Sequence, residues 1–537
     1  WEQEKANDLY LTQPLGNGSV KEYTWAQAVN EARKMATYIK SLDLPAKSNI
    51  ALLSKNCAHW LIADLAIMMA GMVSVPIYST AGDKTIEHVL SHSESKAIFV
   101  GKLDSVEAAN ASIPSGVLKI AFPYPSCNSD QNWTDWLANN EPLADDAIAE
   151  FEPDDLMTIA YTSGSTGLPK GVALSFSNIG SSSHCSANNI EIKPGDRMMS
   201  YLPLAHITER AVVEWMAIYG NVQIFFTESL ETFIADVRHA RPSAFISVPR
   251  LWTKFQSQIL ASMPDKKLQF LLKVPFLGKR VAHKIREKLG LDQSRMFGSG
   301  SAPISPGILR WYERIGVEIA EGWGMTETSG LSCSSIPFDT RYVGTIGMPL
   351  SCVDMKLSDE GEVLIGGEAV FKYYYKNPEA TAEAIKDGWF HTGDRGEINE
   401  LGCYRIIGRV KEQFKTSKGK YVAPVPIESM LGRNSDIDQV CVLGSGRKQP
   451  LAMVVLNEQH QGFSEDMQNN LEATLNEVNA ELESHQRLDH LIVCNEFWTI
   501  ENDMLTPTLK IKRNKLEDRY GDYLHRDLSG KVIWEGA

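Results

Sequence analysis

Residues 161–172 read YTSGSTGLPKGV, directly after the apolar run Leu156 to Tyr161. That run predicts a buried strand, and the segment after it predicts a loop. Within twelve residues stand three glycines (Gly164, Gly167, Gly171), four hydroxyls (Thr162, Ser163, Ser165, Thr166) and Lys170. Glycine lets backbone N–H groups approach an anion closely. Hydroxyls and N–H groups donate to phosphate oxygens, and a lysine adds charge. The lysine follows the second glycine by three positions, so the string is not the GxxxxGK[ST] nucleotide loop. Composition alone would equally allow a surface turn.

Outward from this loop, helical and strand periods alternate. Upstream, Trp25 to Leu42 has apolar residues at helical spacing, Asn49 to Leu53 predicts a strand, Leu61 to Met69 a helix and Val73 to Ile77 a strand. Thr85 to Ser91 and Lys96 to Val100 repeat the pair. Downstream the rhythm returns: strands at Met198 to Leu202, Val222 to Phe226 and Ala244 to Val248, with helices near Glu209 to Tyr219 and Leu230 to Ala240. Such alternation predicts an α/β fold of parallel or mixed sheets flanked by helices. Residues 341–408 switch to short strands between Gly and Asp turns, the grammar of antiparallel hairpins. After Arg409 the chain turns Lys- and Arg-rich up to Lys420, then shows a small α+β pattern with strands at Val440 to Leu443 and Leu451 to Leu456 and a helix near Asn469 to Arg487. We therefore expect a large N-terminal domain over 1–408, with a β-rich subdomain, and a small C-terminal domain over 409–537.

The bulk numbers bound the function. At 537 residues the chain needs several packed units. A net charge of −14 disfavours nucleic acid as partner. Eight cysteines lie scattered with no CxxC pair or zinc spacing, as expected of free thiols in a reducing cytoplasm. The chain opens on Trp1 and shows no signal-peptide pattern. The most apolar run, Leu65 to Tyr78, falls short of the ~20 residues of a membrane span and reads as a buried helix entering a strand. No amphipathic basic helix stands out.

Further strings follow in order. YLPLAHITER at 201–210 contains His206, FGSGSAPI at 297–304 contains Gly300, Ser301, Ala302 and Pro303, and EGWGMTET at 321–328 contains Trp323, Gly324, Thr326 and Glu327. GWFHTGDRGEI at 388–398 contains Asp394, GRVKEQFKTSKGKYVAPVPIE at 408–428 contains Arg409 and Lys411, and TPTLKIKR at 506–513 contains Lys510. An imidazole can donate to oxygens on which charge develops. An indole face suits a purine, a carboxylate suits Mg²⁺, and an ionised carboxylate can accept from both hydroxyls of a cis-diol.

With the loop at 161–172, these strings resemble the adenylate-forming superfamily, which includes acyl-CoA synthetases, luciferases and the adenylation domains of peptide synthetases. The resemblance implies ATP, Mg²⁺ and coenzyme A as cofactors. It implies that Thr162, Ser163, Gly164, Ser165, Thr166, Gly167 and Lys170 cradle phosphates, with Thr166 and Glu327 holding the metal. His206 would face the carboxylate and α-phosphate, to which Thr326 also donates. Residues 300–303, Trp323 and Gly324 would form the adenine slot, and Asp394 and Arg409 would hold the ribose. Lys510 would bridge carboxylate and α-phosphate. Lys411 would be the hinge about which a mobile small domain swings, bringing the segment near Gly419 to the thiol. The sequence departs from the pattern at Leu509, where glycine commonly precedes the lysine, at Ser165, where threonine is common, and at Tyr373, where glycine is frequent.

Within the superfamily, LPLAHITER, SVPRLW at 247–252, GSGSAPI and KTSKGKYVAPVPIE look most like long-chain fatty acyl-CoA synthetases. No aspartate in 201–216 matches the one that holds a substrate amine in amino-acid-activating domains. Trp215, Met216, Ile218, Tyr219 and Met325 are candidates for an apolar acid pocket, and equally for ordinary core. The expected reaction is activation of a medium- or long-chain fatty acid to acyl-AMP, then transfer to CoA. The protein is expected in the cytoplasm, with loose peripheral contact at the inner membrane face. Two other readings stay open. One is a ligase delivering to a carrier protein or using a non-fatty acid. The other is a non-catalytic sensor, which would have no need to keep Lys170, Glu327, Asp394, Arg409 and Lys510 together.

Overall fold

The computed structural model describes residues 1–537 apart from 125–128, 130, 163–167, 435, 458–461, 507–509, 527 and 537. Its largest sheet has eight strands, in the spatial order Tyr373–Tyr374, Lys170–Ser175, Leu156–Thr162, Val73–Ile77, Asn49–Leu53, Ala97–Val100, Leu118–Ala121, Gln131–Asn132. From Leu156–Thr162 onward the strands run parallel, and Asn49–Leu53 and Val73–Ile77 are buried along their whole length, which explains their mostly apolar sequences. Lys170–Ser175 runs antiparallel to Leu156–Thr162, with Thr162 opposite Lys170. The phosphate-type loop therefore closes a β-hairpin, whereas a GxxxxGK[ST] loop leads into a helix.

A second sheet orders Ala244–Ser247, Met296–Ser299, Ile319–Met325, Gly330–Ser334 and Met348–Pro349. A third joins Leu9–Gly16 and Ser19–Thr24 to Gln223–Phe226 and Arg197–Ser200. The Asp354–Leu357, Glu362–Gly366, Trp389–Ile398 and Tyr404–Arg409 strands form the predicted antiparallel unit. Beyond it, a core running from Phe414 to Val532 packs the C-terminal sheet of Ile437–Leu443, Leu451–Leu456, Leu491–Cys494 and Val532–Trp534 on the Glu465–Glu481 helix. The sequence-predicted helix near Glu209 to Tyr219 is instead three pieces: a short turn Ile207–Glu209, a π-helix Arg210–Trp215 and a final turn Met216–Gly220.

Arg210 opens the π-helical piece. It is fully buried, with Nη2 2.6 Å from Asp64, Nε 2.7 Å from Glu214 and Nη1 donating to Thr158 at 2.7 Å. Its guanidinium sits 5.3 Å from the Trp60 ring and 4.7 Å from the Trp215 ring. A buried charge needs such full pairing, and single π-turns inside helices are frequent at functional sites. Thr158 lies on the strand that feeds the phosphate-type loop, so one side chain ties that strand to the segment carrying His206. Among the described residues no helix is long and apolar enough to cross a membrane.

Candidate active site

Strand Ile319–Met325 and its antiparallel neighbour Gly330–Ser334 carry the centre of the site. A Cβ on Gly324 would stand 1.6 Å from the Gly330 carbonyl, so only glycine permits this close pairing. The bend delivers Trp323 beside Asp394, to whose Oδ2 the indole Nε1 donates at 3.2 Å. Asp394 and Arg409 are cross-strand partners of the Trp389–Ile398 and Tyr404–Arg409 pair, with Arg409 Nε 3.0 Å from Asp394 Oδ1. Burial raises the Asp394 carboxyl above its usual range, while Arg409, Lys510 and Trp323 pull it back.

Glu327 follows in the turn Thr326–Thr328, which also carries Thr326, and is buried. Its Oε1 accepts from the Tyr374 hydroxyl at 2.8 Å, and the Lys170 ammonium lies 5.2 Å from the Tyr374 ring centroid. Tyr374 thus joins the phosphate-loop lysine to the candidate metal ligand. A buried carboxylate with one oxygen fixed by a phenol suits Mg²⁺. Of the loop, Thr162 and Lys170 are the two hairpin ends, while Ser163, Gly164, Ser165, Thr166 and Gly167 lie outside the described residues. Two histidines of the Asp83–Ser93 helix sit under the loop's feet. His88 Nε2 donates to the Pro169 carbonyl at 3.0 Å, and His92 Nδ1 is 2.7 Å from the Tyr161 hydroxyl. Their rings stack 5.4 Å apart.

His206 caps the Ile207–Glu209 turn, and its Nδ1 accepts the Thr208 N–H at 3.1 Å. Burial, then the neighbouring Lys510 charge, lower its pKa to about 4. The ring is therefore neutral at neutral pH, with its proton on Nε2 and available to a ligand oxygen. Gly300 donates to the Ser247 carbonyl at 3.2 Å, and Ser301, at φ +66°, sits 3.4 Å from the Thr208 hydroxyl. Ala302 and Pro303 are exposed beside it.

Lys510 arrives from the C-terminal unit on a turn closed by the Leu505–Ile511 bridge. Dehydration of its surroundings, then Arg409, lower its pKa, against the pull of Asp394, Glu327 and Glu412. The residue keeps solvent contact, which screens these pairings. The structure thus gathers His206, Glu327, Asp394, Arg409 and Lys510 around one space. Lys411 is exposed in the turn between Tyr404–Arg409 and Phe414–Lys415.

A small cleft of about 60 Å³ is lined by Ser301, Trp323 and Gly324 together with Thr208, Val212, Ile246, Met296, Leu331 and Ile336. Of the apolar residues open from sequence to either an acid pocket or ordinary core, Trp215 and Met216 are core, and Ile218 and Met325 pack against a neighbouring core. Tyr219 is exposed. Glu321 is the one ionisable residue lining the cleft among the described residues. Burial raises its pKa to about 8, and it accepts the Gly344 N–H at 2.9 Å.

The family described as AMP-binding enzyme matches residues 3–375, and its C-terminal domain matches residues 411–526. The chain belongs to the AMP-binding enzyme family. This AMP-binding enzyme is 32% identical to fatty acyl-CoA synthetase A of Dictyostelium discoideum, over 96% of the chain and 87% of that protein. It is 30% identical to human long-chain-fatty-acid–CoA ligase 1, over 88% and 77%, and 29% identical to the long-chain-fatty-acid–CoA ligase FadD15 of Mycobacterium tuberculosis, over 96% and 93%. Its fold matches the anthranilate CoA ligase AuaEII bound to anthranoyl-AMP, with a TM-score of 0.79 at 21% identity over 97% of this chain and 95% of that one. Tyr374, Glu321, Arg210 and the His88/His92 pair were missed by sequence reasoning. The one available signal for Tyr374 was the unusual YYY run at 373–375.

Proposed function

We propose that this enzyme activates a medium- or long-chain fatty acid as acyl-AMP and transfers the acyl group to CoA. The reading rests on the convergence of Lys510, His206, Glu327, Asp394 and Arg409, joined through Asp394 to Trp323, which lines a largely apolar cleft, in a chain whose relatives carry fatty acyl-CoA ligase names. A carboxylate oxygen attacks the α-phosphorus, the Pα–O bond to pyrophosphate breaks, and a mixed anhydride forms. The CoA sulfur then attacks the acyl carbon, the bond to AMP breaks, and the thiol proton is released.

In this reading Asp394 and Arg409 hold the ribose, Trp323 and residues 300–303 bracket the adenine, and Lys170 and Thr326 meet phosphate. The neutral His206 donates from Nε2 to oxygens of the reacting acid. Lys510 supplies charge where the pentavalent phosphorus forms. Glu327 is the Mg²⁺ ligand, and the ion when bound neutralises phosphate charge. The boundary is placed at 408/409, between Ile406 of the N-terminal packing and Phe414 of the C-terminal core, with Lys411 as hinge. The location is the cytoplasm, supported by seven free thiols among the described cysteines. Peripheral membrane contact accompanies it.

The test is AMP release from Mg-ATP across fatty acids of increasing length, with and without CoA. The reading requires release that depends on both the acid and CoA. Acid-dependent pyrophosphate exchange that CoA leaves unchanged would move the acyl group to another acceptor.

A further inference from the structure

Between two strands that line the cleft, Ala244–Ser247 and Met296–Ser299, the chain makes a helical excursion: Pro249–Ser262, Asp265–Lys273 and Leu277–Leu289. The last two helices pack on each other across the turn at 274–276. One side of this hairpin is anchored, with Leu268, Ala282, Ile285 and Leu289 in the second core. The other side is unlike the rest of the surface.

From Lys266 to Lys284 the sequence is KKLQFLLKVPFLGKRVAHK, with six lysines or arginines and no Asp or Glu, on a chain whose net charge is −14. Lys266, Lys267, Lys273, Lys279, Arg280 and Lys284 are all exposed, and none is in an ion pair among the described residues. Amid them stand large apolar side chains: Phe270 is 70% exposed and Phe276 85%. Lys266, Phe270 and Lys273 share a helix face by their four- and three-residue spacings. Phe276 is held at φ +61°, a region that bulky residues avoid. The turn that presents it depends on Gly278, where a Cβ would stand 2.2 Å from the Leu272 carbonyl. The apolar face of the Leu277–Leu289 helix is spent on the core, so the exposed apolar side chains of the patch come from the preceding helix and the turn.

Aromatic side chains ringed by unpaired lysines fit one kind of surface well. Rings enter the headgroup–acyl boundary while lysines meet anionic headgroups, and each alone would bind weakly. We propose that the 265–289 hairpin docks this protein on bilayers carrying anionic phospholipid. Phe270 and Phe276 insert, and Lys266, Lys267, Lys273, Lys279 and Arg280 pair with headgroup phosphates and carboxylates. The site stands on the hairpin's own surface. The proposed fatty-acid reading gives it a purpose, since long acyl chains reside in bilayers.

The experiment is co-sedimentation of the full chain with vesicles of phosphatidylcholine alone or mixed with phosphatidylserine, at low and high salt. Wild-type protein is expected to sediment with the mixed vesicles, to be released by salt, and to ignore phosphatidylcholine alone. Phe270→Ser/Phe276→Ser and Lys266→Gln/Lys267→Gln/Lys279→Gln/Arg280→Gln should each weaken binding by roughly tenfold or more. Unchanged thermal unfolding and unchanged AMP release from a short, water-soluble acid would show that both variants are folded. Equal binding to both vesicle types, binding unaltered in either variant, or no sedimentation of wild-type protein would overturn the proposal. None of these outcomes depends on which acid the enzyme activates.

Discussion

The Tyr374 hydroxyl donates to Glu327 Oε1 at 2.8 Å from an edge strand paired with Lys170–Ser175, the strand the phosphate-type loop enters. A residue some fifty positions downstream in sequence thereby fixes the carboxylate assigned to Mg²⁺. Outer partners of this kind orient ligand oxygens and tune metal affinity. Tyr374→Phe removes only the hydroxyl. It should raise the Mg²⁺ concentration for half-maximal AMP release about tenfold, with little change in the KM for the acid. An unaltered Mg²⁺ titration would remove Tyr374 from the site.

The feet of the loop rest on stacked histidines. Since His88 donates to the Pro169 carbonyl and His92 meets Tyr161, His88→Ala should loosen the loop without touching the acid or thiol. The KM for ATP should rise about fivefold to tenfold, the scale of one hydrogen bond. His88→Asn should restore part of it. Thioester formation from supplied acyl-AMP should be unchanged, and parallel loss of both half-reactions would mark His88 as general scaffold.

Glu321 offers a signature in stability. Its folded pKa is about 8 against an ordinary 4.5. The folded carboxyl keeps its proton where the unfolded one loses it, so this contribution is complete below 4.5 and is lost as pH rises toward 8. Glu321→Gln keeps the acceptor for Gly344 and cannot ionise. Its stability relative to wild type, from denaturant titrations, should therefore grow by about 1 kcal/mol per pH unit across that window. Parallel curves would mean that the wild-type carboxyl is ionised in the fold.

Lys411 stands where packing changes hands, between Ile406 and Phe414. Lys411→Pro fixes φ in that turn. Pyrophosphate exchange should stay within about twofold of wild type, while thioester formation falls by at least about tenfold. Equal loss of both would count against a hinge there.

Much of this was legible in sequence because the signal was local. Asn49–Leu53, Val73–Ile77 and Leu451–Leu456 were readable to the residue, since each is a short, mostly apolar run buried along its whole length. The site segments were legible as strings of glycines, hydroxyls and carboxylates with a fixed order. What stayed hidden depends on partners far along the chain. Asp64 pairs with Arg210 from 146 residues away, and an expected α-helix is a π-helix over Arg210–Trp215. Trp215 and Met216 were open to either pocket or core by composition, and they are core, while Ile246, Met296 and Ile336 line the cleft. The basic hairpin was obscured for the same reason: exposure of Phe270 and Phe276 is set by what the opposite face buries.

The central claim is that one chain makes an acyl-adenylate and then a thioester around a single centre, with Lys510 serving only the first step. Its most direct test is Lys510→Ala assayed in two halves: fatty-acid-dependent pyrophosphate exchange, and CoA thioester formation from supplied acyl-AMP. The account predicts a fall of about 10²-fold or more in the first and near wild-type rates in the second. Comparable losses in both halves, or intact exchange, would contradict it.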